Sequence, residues 1–171
     1  MPATRHSLFL ACALVLPSGI AHAQATPPEK VDFAGRARAN ISSSVGIPAG
    51  TAFLWTSGTG PTAADTSAPV GSRARFGDTK TQGISALKAV EAVLKERGLT
   101  MKDVVYLRVY LVPDKEKGGA VDAQGWNEAY GQFFNNADNP VKPARSTVGV
   151  AALVVPDWLI EIEAFAVYPK K

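Results

Sequence analysis

The stretch DVVYLRVYLV, residues 103–112, is apolar on both faces that a strand presents: Val105, Leu107, Val109 and Leu111 on one, Val104, Tyr106, Tyr110 and Val112 on the other. A strand of that kind belongs inside a sheet whose two faces are both covered. Upstream, Ile84, Leu87, Val90 and Leu94 recur at helical spacing over residues 79–97, with Asp78 placed to cap the start and Gly98 to stop the end. Downstream, Trp126, Tyr130, Phe133 and Phe134 follow the i, i+4, i+7, i+8 pattern of a second amphipathic helix. TAFLWT at residues 51–56, and the segments 146–151 and 158–167, complete the strands. The order predicts a single α+β domain, a mixed sheet of four to six strands with two helices on one face. Nothing in the chain remains to cover the other face, so another copy of the same chain is the expected cover, a homo-oligomer.

Outside this frame the residues are loops and tails. Residues 58–77 are dense in Gly, Pro, Ser and Thr and read as loop; their GTGP start departs from the GxGxxG of a dinucleotide site. Arg73-Ala74-Arg75 within it reads as a solvated basic run with no interleaved aromatic platform for a nucleic acid. Residues 24–40 mix Pro, Ala and charge without periodicity and read as a flexible N-terminal arm, so the folded domain is expected over residues 41–171. Residues 1–23 have the three parts of a secretory leader: Arg5 and His6, an apolar run from Leu8 to Leu16, and Ala21-His22-Ala23 before Gln24. Cys12 precedes most of that run, whereas a lipid-modified cysteine follows one. The expectation is an exported protein, periplasmic or secreted, free of the membrane after processing.

Removing the leader removes Cys12, His6 and His22, the only cysteine and both histidines. The remaining chain is thereby barred from a disulfide, a cysteine nucleophile, a Ser-His-Asp triad and a Cys/His zinc site in cis. Without Arg5 it carries 17 basic against 15 acidic residues, a net charge of +2 that does not point to nucleic acid. Carboxylates, Arg, Lys, Tyr, hydroxyls and backbone are left to carry any chemistry. Arg145 stands where a loop enters a strand, in PARSTV at residues 143–148, and a guanidinium there could grip a carboxylate through two parallel hydrogen bonds. The same position also suits a plain surface arginine. In the last strand Ile160, Ile162 and Ala164 share one face and Glu161 and Glu163 the other, so the helices should lie on the isoleucine side and both carboxylates on the opposite one. Glu163 reads as a solvated polar residue.

PARSTV followed by IEIEAFA at residues 160–166 resembles the closing signature of the RidA/YjgF family of reactive intermediate deaminases. Thr56-Ser57-Gly58, the helix start over residues 79–82, GLTMKDVVYLRVYL and WNEAYGQFF stand in the family's order, so the resemblance runs from about Ile41 to Tyr168. It implies a chorismate-mutase-like fold and a homotrimer with sites between subunits. By the same resemblance Arg145 holds the substrate carboxylate, Glu161 serves the catalytic water, and Ser57, Gly58, Asn127 and Thr147 line the pocket. Two positions depart from the pattern: Ser44 stands near the place of a family tyrosine, and Thr147 at that of a cysteine.

The implied activity is hydrolysis of 2-imino and enamine acids to 2-keto acids and ammonia. An imine is already electrophilic, so orientation, desolvation and proton movement suffice, and neither metal nor cofactor is called for. The alternatives from other classes are a non-catalytic trimeric binder of small carboxylates, a holdase-like protein, and an endoribonuclease.

Overall fold

The computed structural model of the chain describes residues 26–170; the leader-like residues 1–23 lie outside them. A small antiparallel ribbon of β1 (Asp32–Ala34) and β2 (Ser44–Gly46) precedes the main sheet. That sheet is built from β3 (Phe53–Trp55), β4 (Val104–Leu111), β5 (Ala144–Gly149) and β6 (Ile160–Val167), in the order β3-β6-β4-β5. Only the β4–β5 pair is parallel, so the sheet is mixed as predicted. Its helices are α1 (Arg73–Phe76), α2 (Thr79–Glu96) and α3 (Ala123–Tyr130).

The predicted long helix forms for the predicted reasons. Asp78 adopts an extended backbone and its side chain accepts from Thr81 N at 2.9 Å, satisfying one of the free amides of the first turn. Gly98, at φ 72°, ends the helix in the left-handed conformation that glycine adopts without strain. Hydrogen bonding from the Thr81 backbone holds the Asp78 carboxyl below its ordinary value, against a smaller opposing effect of burial. The stability this contributes is present above the unfolded-state value and is lost as pH falls through the lowered one. Asp78→Ala is expected to cost about 0.5–2 kcal/mol, read as a lower denaturant midpoint with unchanged slope.

α2 and α3 lie together on one face. Leu87, Val90, Leu94, Trp126 and Tyr130 pack there on Leu107, Val109, Leu111, Ile160 and Ile162, all of them buried. Gly83 lets the two helices touch, since a Cβ at that position would sit 2.9 Å from that of Ala129. The other face, bearing Tyr106, Arg108, Tyr110, Glu161, Glu163, Phe165 and the β3 aromatics, carries no helix among the described residues and is flanked only at one end by the segment 150–154. Phe53 there is 60% and Trp55 55% exposed.

Four sequence readings change. Residues 32–34, read as part of the loose arm, form β1, because the edge of β2 gives their backbone a partner that composition does not disclose. The loop at 58–77 contains the single turn α1, and its two arginines are tied down. Arg73 pairs with Asp114 and Glu116, and Arg75 donates to the carbonyls of Thr66 and Ala68. A β-bulge between Val104 and Tyr106 reverses the expected facing at the start of β4, where Val104 pairs with Ala166 on the helix side. Finally, α3 ends at Tyr130. Phe134 is still fully buried, held by its N–H to the Tyr130 carbonyl at 3.0 Å, before Asn135 turns left-handed at φ 53°.

Candidate functional site

Register decides where the singled-out residues point. Arg145 is the lateral partner of Leu107, whose side chain lies in the core beneath the helices, so Arg145 projects to the helix side. Glu161 is the lateral partner of Tyr110 and projects to the open face. Within one protomer the two central candidates therefore stand on opposite sides of the sheet.

On the helix side, the Arg145 guanidinium lies 4.7 Å from the centre of the Tyr130 ring and 5.3 Å from that of Trp126. Its Nη2 donates to Asn127 Oδ1 at 2.9 Å, while the buried Nη1 has no partner among the described residues. A guanidinium carries five N–H donors, and an unpaired buried one is costly, so this side chain is held in place with hydrogen-bonding capacity left over. Burial lowers the Arg145 pKa, yet it stays charged at any ordinary pH. Burial pushes the Tyr130 phenol up to about 12, with Arg145 pulling weakly the other way; the phenol is therefore neutral and donates to the Asn40 carbonyl at 2.9 Å. Thr147 lies two residues along β5 on the same side as Arg145 and is exposed. Arg145 and Asn127 are thus in contact, with Thr147 on the same side of β5.

On the open face, Gly58 meets Glu161 so closely that a Cβ on the glycine would lie 2.1 Å from Glu161 Oε1. That approach is set by pairing: Thr59 and Ile162 exchange backbone hydrogen bonds at 2.9 and 3.0 Å, laying the chain after β3 along β6. Ser57 is exposed beside them. The carboxylate of Glu161 receives no hydrogen bond from any described residue. Two residues on, Glu163 is the opposite case. Tyr110 donates to its Oε1 at 2.9 Å, and Arg108 and Trp55 to its Oε2 at 3.3 Å each. Glu163, read from sequence as solvated, is instead the centre of a polar cluster, with Arg108 also 5.7 Å from the centre of the Trp55 ring. The period-two alternation of β4 and β6 already put Arg108, Tyr110 and Glu163 on one face; only the pairing of the strands brought them into contact.

The aromatic bed of Arg145 was also missed, because Trp126 and Tyr130 at helical spacing read simply as core. Ser44 begins β2, exposed and opposite Ala34, and no described side-chain contact ties it to either group. Among the described residues no group of three or more His, Cys, Asp or Glu side chains is placed to hold a metal ion, and no helix is long and apolar enough to cross a membrane.

Comparison with known proteins places this geometry. A RutC family protein of Pyrococcus horikoshii is 38% identical over 90 residues, which are 53% of this chain and 63% of that one, so the chain spans less than two thirds of that relative's length. Among solved structures, a protein of the Rid family from Yersinia pestis, YyfB, superposes with a TM-score of 0.61 at 26% identity, covering 81% of this chain and 99% of that one. TdcF of E. coli, solved with bound serine, gives 0.55 at 30% identity over 72% and 85%. The family model described as Endoribonuclease L-PSP matches residues 36–168, and the chain belongs to that family, the group that also carries the names YjgF, RidA and RutC.

Proposed function

We propose that this protein hydrolyses 2-imino and enamine acids to 2-keto acids and ammonia, at sites completed between copies of the chain. The observation that carries the reading is the pairing of a held, under-used guanidinium with an unengaged carboxylate. Arg145 lies fixed on two aromatic rings with donors to spare, and Glu161 stands free against Gly58. Arg145 binds the substrate carboxylate with Asn127 beside it. Glu161 of a neighbouring copy takes a proton from water as the oxygen adds to the imine carbon, and the C=N electron pair moves to nitrogen, which receives that proton from Glu161 to give a carbinolamine. Glu161 then takes the hydroxyl proton and passes it to the same nitrogen, the C–N bond breaks, and ammonia leaves as the carbonyl forms. TdcF, in the same family, was solved with serine, an amino acid that presents the carboxylate this arrangement calls for.

Two protomers are required because Arg145 and Glu161 lie on opposite faces of one sheet. The exposed Phe53 and Trp55 supply the apolar surface that such an association covers. We further propose a trimer, on the family resemblance, and a location outside the cytoplasm, on the leader-like residues 1–23. The experiment is to offer the purified protein imines generated in situ by an amino-acid oxidase while following semicarbazone formation, which falls as the imine is removed. Light scattering of the same sample should give three chains per particle. A monomer at micromolar concentration, or imine decay no faster than in buffer, defeats the reading; keto-acid binding without turnover would leave a carboxylate binder.

A further inference from the structure

After β3 the chain keeps two residues where β6 has one. Thr56 donates its backbone N–H to the Ala164 carbonyl at 2.9 Å, and Thr59 and Ile162 exchange backbone hydrogen bonds, so Ser57 and Gly58 together stand opposite Glu163 alone. Two residues against one make a bulge. We infer that Thr56 is a positioning residue for the hydrolysis: its hydroxyl holds the near end of this bulge and so keeps Gly58 against the Glu161 carboxylate. The inference rests on the deaminase reading above and adds to that site a residue that acts only through its neighbours.

Three observations carry it. First, a side chain closes the ladder at Thr56. In a regular antiparallel pair the Ala164 N–H would donate to the Thr56 carbonyl and complete an exchange of two backbone bonds. Here it donates to Thr56 Oγ1 at 3.0 Å, which leaves that carbonyl out of the ladder and lets the chain turn after it. Thr56 and Ala164 are both buried, so the amide needs an acceptor inside the protein, and the hydroxyl is the one it has. Second, the extra residue decides which way Gly58 faces. Trp55 pairs with Phe165 on the open face and Thr56 with Ala164 on the helix side. Strict alternation from there would put Ser57 on the open face and return position 58 to the helix side. The bulge instead brings Gly58 out to Glu161, and alternation resumes at Thr59, the partner of the buried Ile162.

Third, the far end of the bulge is fixed by other means. Thr59 Oγ1 donates to the Ser57 carbonyl at 3.2 Å, and Gly60 lies so close to the Trp158 ring that a Cβ there would meet it at 2.2 Å. The near end therefore depends on one side-chain oxygen. Without it, the buried Ala164 N–H has the carbonyl of residue 56 as its nearest replacement in the ladder. Drawing that carbonyl in flattens the bulge and turns position 58 away from Glu161.

The test compares Thr56→Val, which keeps the branched shape and removes the hydroxyl, with Thr56→Ser, which keeps the hydroxyl. Turnover of the alanine imine made in situ, pyruvate affinity by calorimetry and melting temperature are measured for both. In Thr56→Val, kcat is expected to fall by about tenfold or more, since a misplacement of roughly 1 Å costs up to about 100-fold. Pyruvate affinity, which lies with Arg145, should hardly change, and Thr56→Ser should restore most of kcat. Added to Glu161→Gln, Thr56→Val should cost no more than about twofold further, because a residue that acts through Glu161 then has nothing left to position. A merely structural threonine would lower the melting temperature and leave the kcat of folded protein alone. Wild-type kcat in folded Thr56→Val, Thr56→Ser as impaired as Thr56→Val, or full additivity with Glu161→Gln overturns the inference. If Thr56→Val does not fold, Thr56→Ala is read in the same way, and failure of both to fold makes the threonine structural and overturns it too. If wild type turns over no imine, the deaminase reading fails separately. The placement is then read from the nuclear Overhauser contact between Gly58 Hα and the Glu161 side chain: loss in Thr56→Val with return in Thr56→Ser supports it, and persistence in Thr56→Val overturns it.

Discussion

Arg145→Lys is expected to damage function nearly as much as Arg145→Ala, lowering kcat/KM by roughly tenfold or more in both. The proposed grip depends on a planar fork rather than on positive charge. A lysine keeps the charge, but it loses the parallel donors and the flat face that lies 4.7 Å from the Tyr130 ring centre. Hydrogen bonds to charged groups contribute about 1.5–3 kcal/mol each, and about 1.4 kcal/mol is one decade in rate. Losing even one reaches the stated effect. The Asn127 Oδ1 contact at 2.9 Å also goes, which frees the asparagine to turn away. Calorimetric titration with a 2-keto acid isolates the binding part. Keto-acid affinity unchanged in Arg145→Ala would make Arg145 a surface arginine and remove the centre of the proposed site.

The second large effect is on Glu161, and it can be produced in two ways. Glu161→Gln keeps the size of the side chain and removes the base, so kcat should fall by about 100-fold or more, the low end of general-base contributions. Keto-acid affinity should hardly change, because the carboxylate grip lies with Arg145. Gly58→Ala should reach part of the same defect from outside. Its Cβ would sit 2.1 Å from Glu161 Oε1, so the carboxylate must rotate away. The carboxylate is the free end of a flexible side chain, and Gly58 is not among the glycines with positive φ, so the chain should fold with little loss of stability. A folded Gly58→Ala protein with wild-type kcat would show that the position of Glu161 is immaterial to turnover. The intact Glu163 cluster offers a contrast. Removing Tyr110 or Arg108 disturbs a carboxylate that is already satisfied and leaves Glu161 in place.

Much of the architecture was legible because it is written in spacing. The apolar residues of 103–112 and the alternation of Ile160, Glu161, Ile162 and Glu163 state a strand period of two, and side-chain direction follows from that period except at the start of β4, where the bulge turns Val104 to the helix side. Ile84, Leu87, Val90 and Leu94, with Asp78 before and Gly98 after, likewise state a helix and both of its ends. The PARSTV and IEIEAFA signatures, with the motifs that precede them in the same order, named the family that the match over residues 36–168 then showed. The failures are where partners matter more than period. The three residues of β1 have no pattern long enough to read and become a strand only against β2. Arg73, in a run that looked solvated, finds Asp114 and Glu116 some 40 positions away.

The site divides along the same line. The residue types, and which residues of β6 share a face, were set by sequence, since a regular strand alternates with period two. That Arg145 shares its side with Trp126 and Tyr130, while Glu161 shares the other with Gly58, was decided by tertiary structure. The parallel pairing of β5 to β4 and the antiparallel pairing of β6 on the opposite flank of β4 fix those sides. Pairing between segments tens of residues apart depends on backbone hydrogen bonds and mutual burial, which no local window of residues contains. A sequence can therefore name both residues, but only the folded sheet places them on opposite faces; under the proposed function a second copy of the chain brings them together.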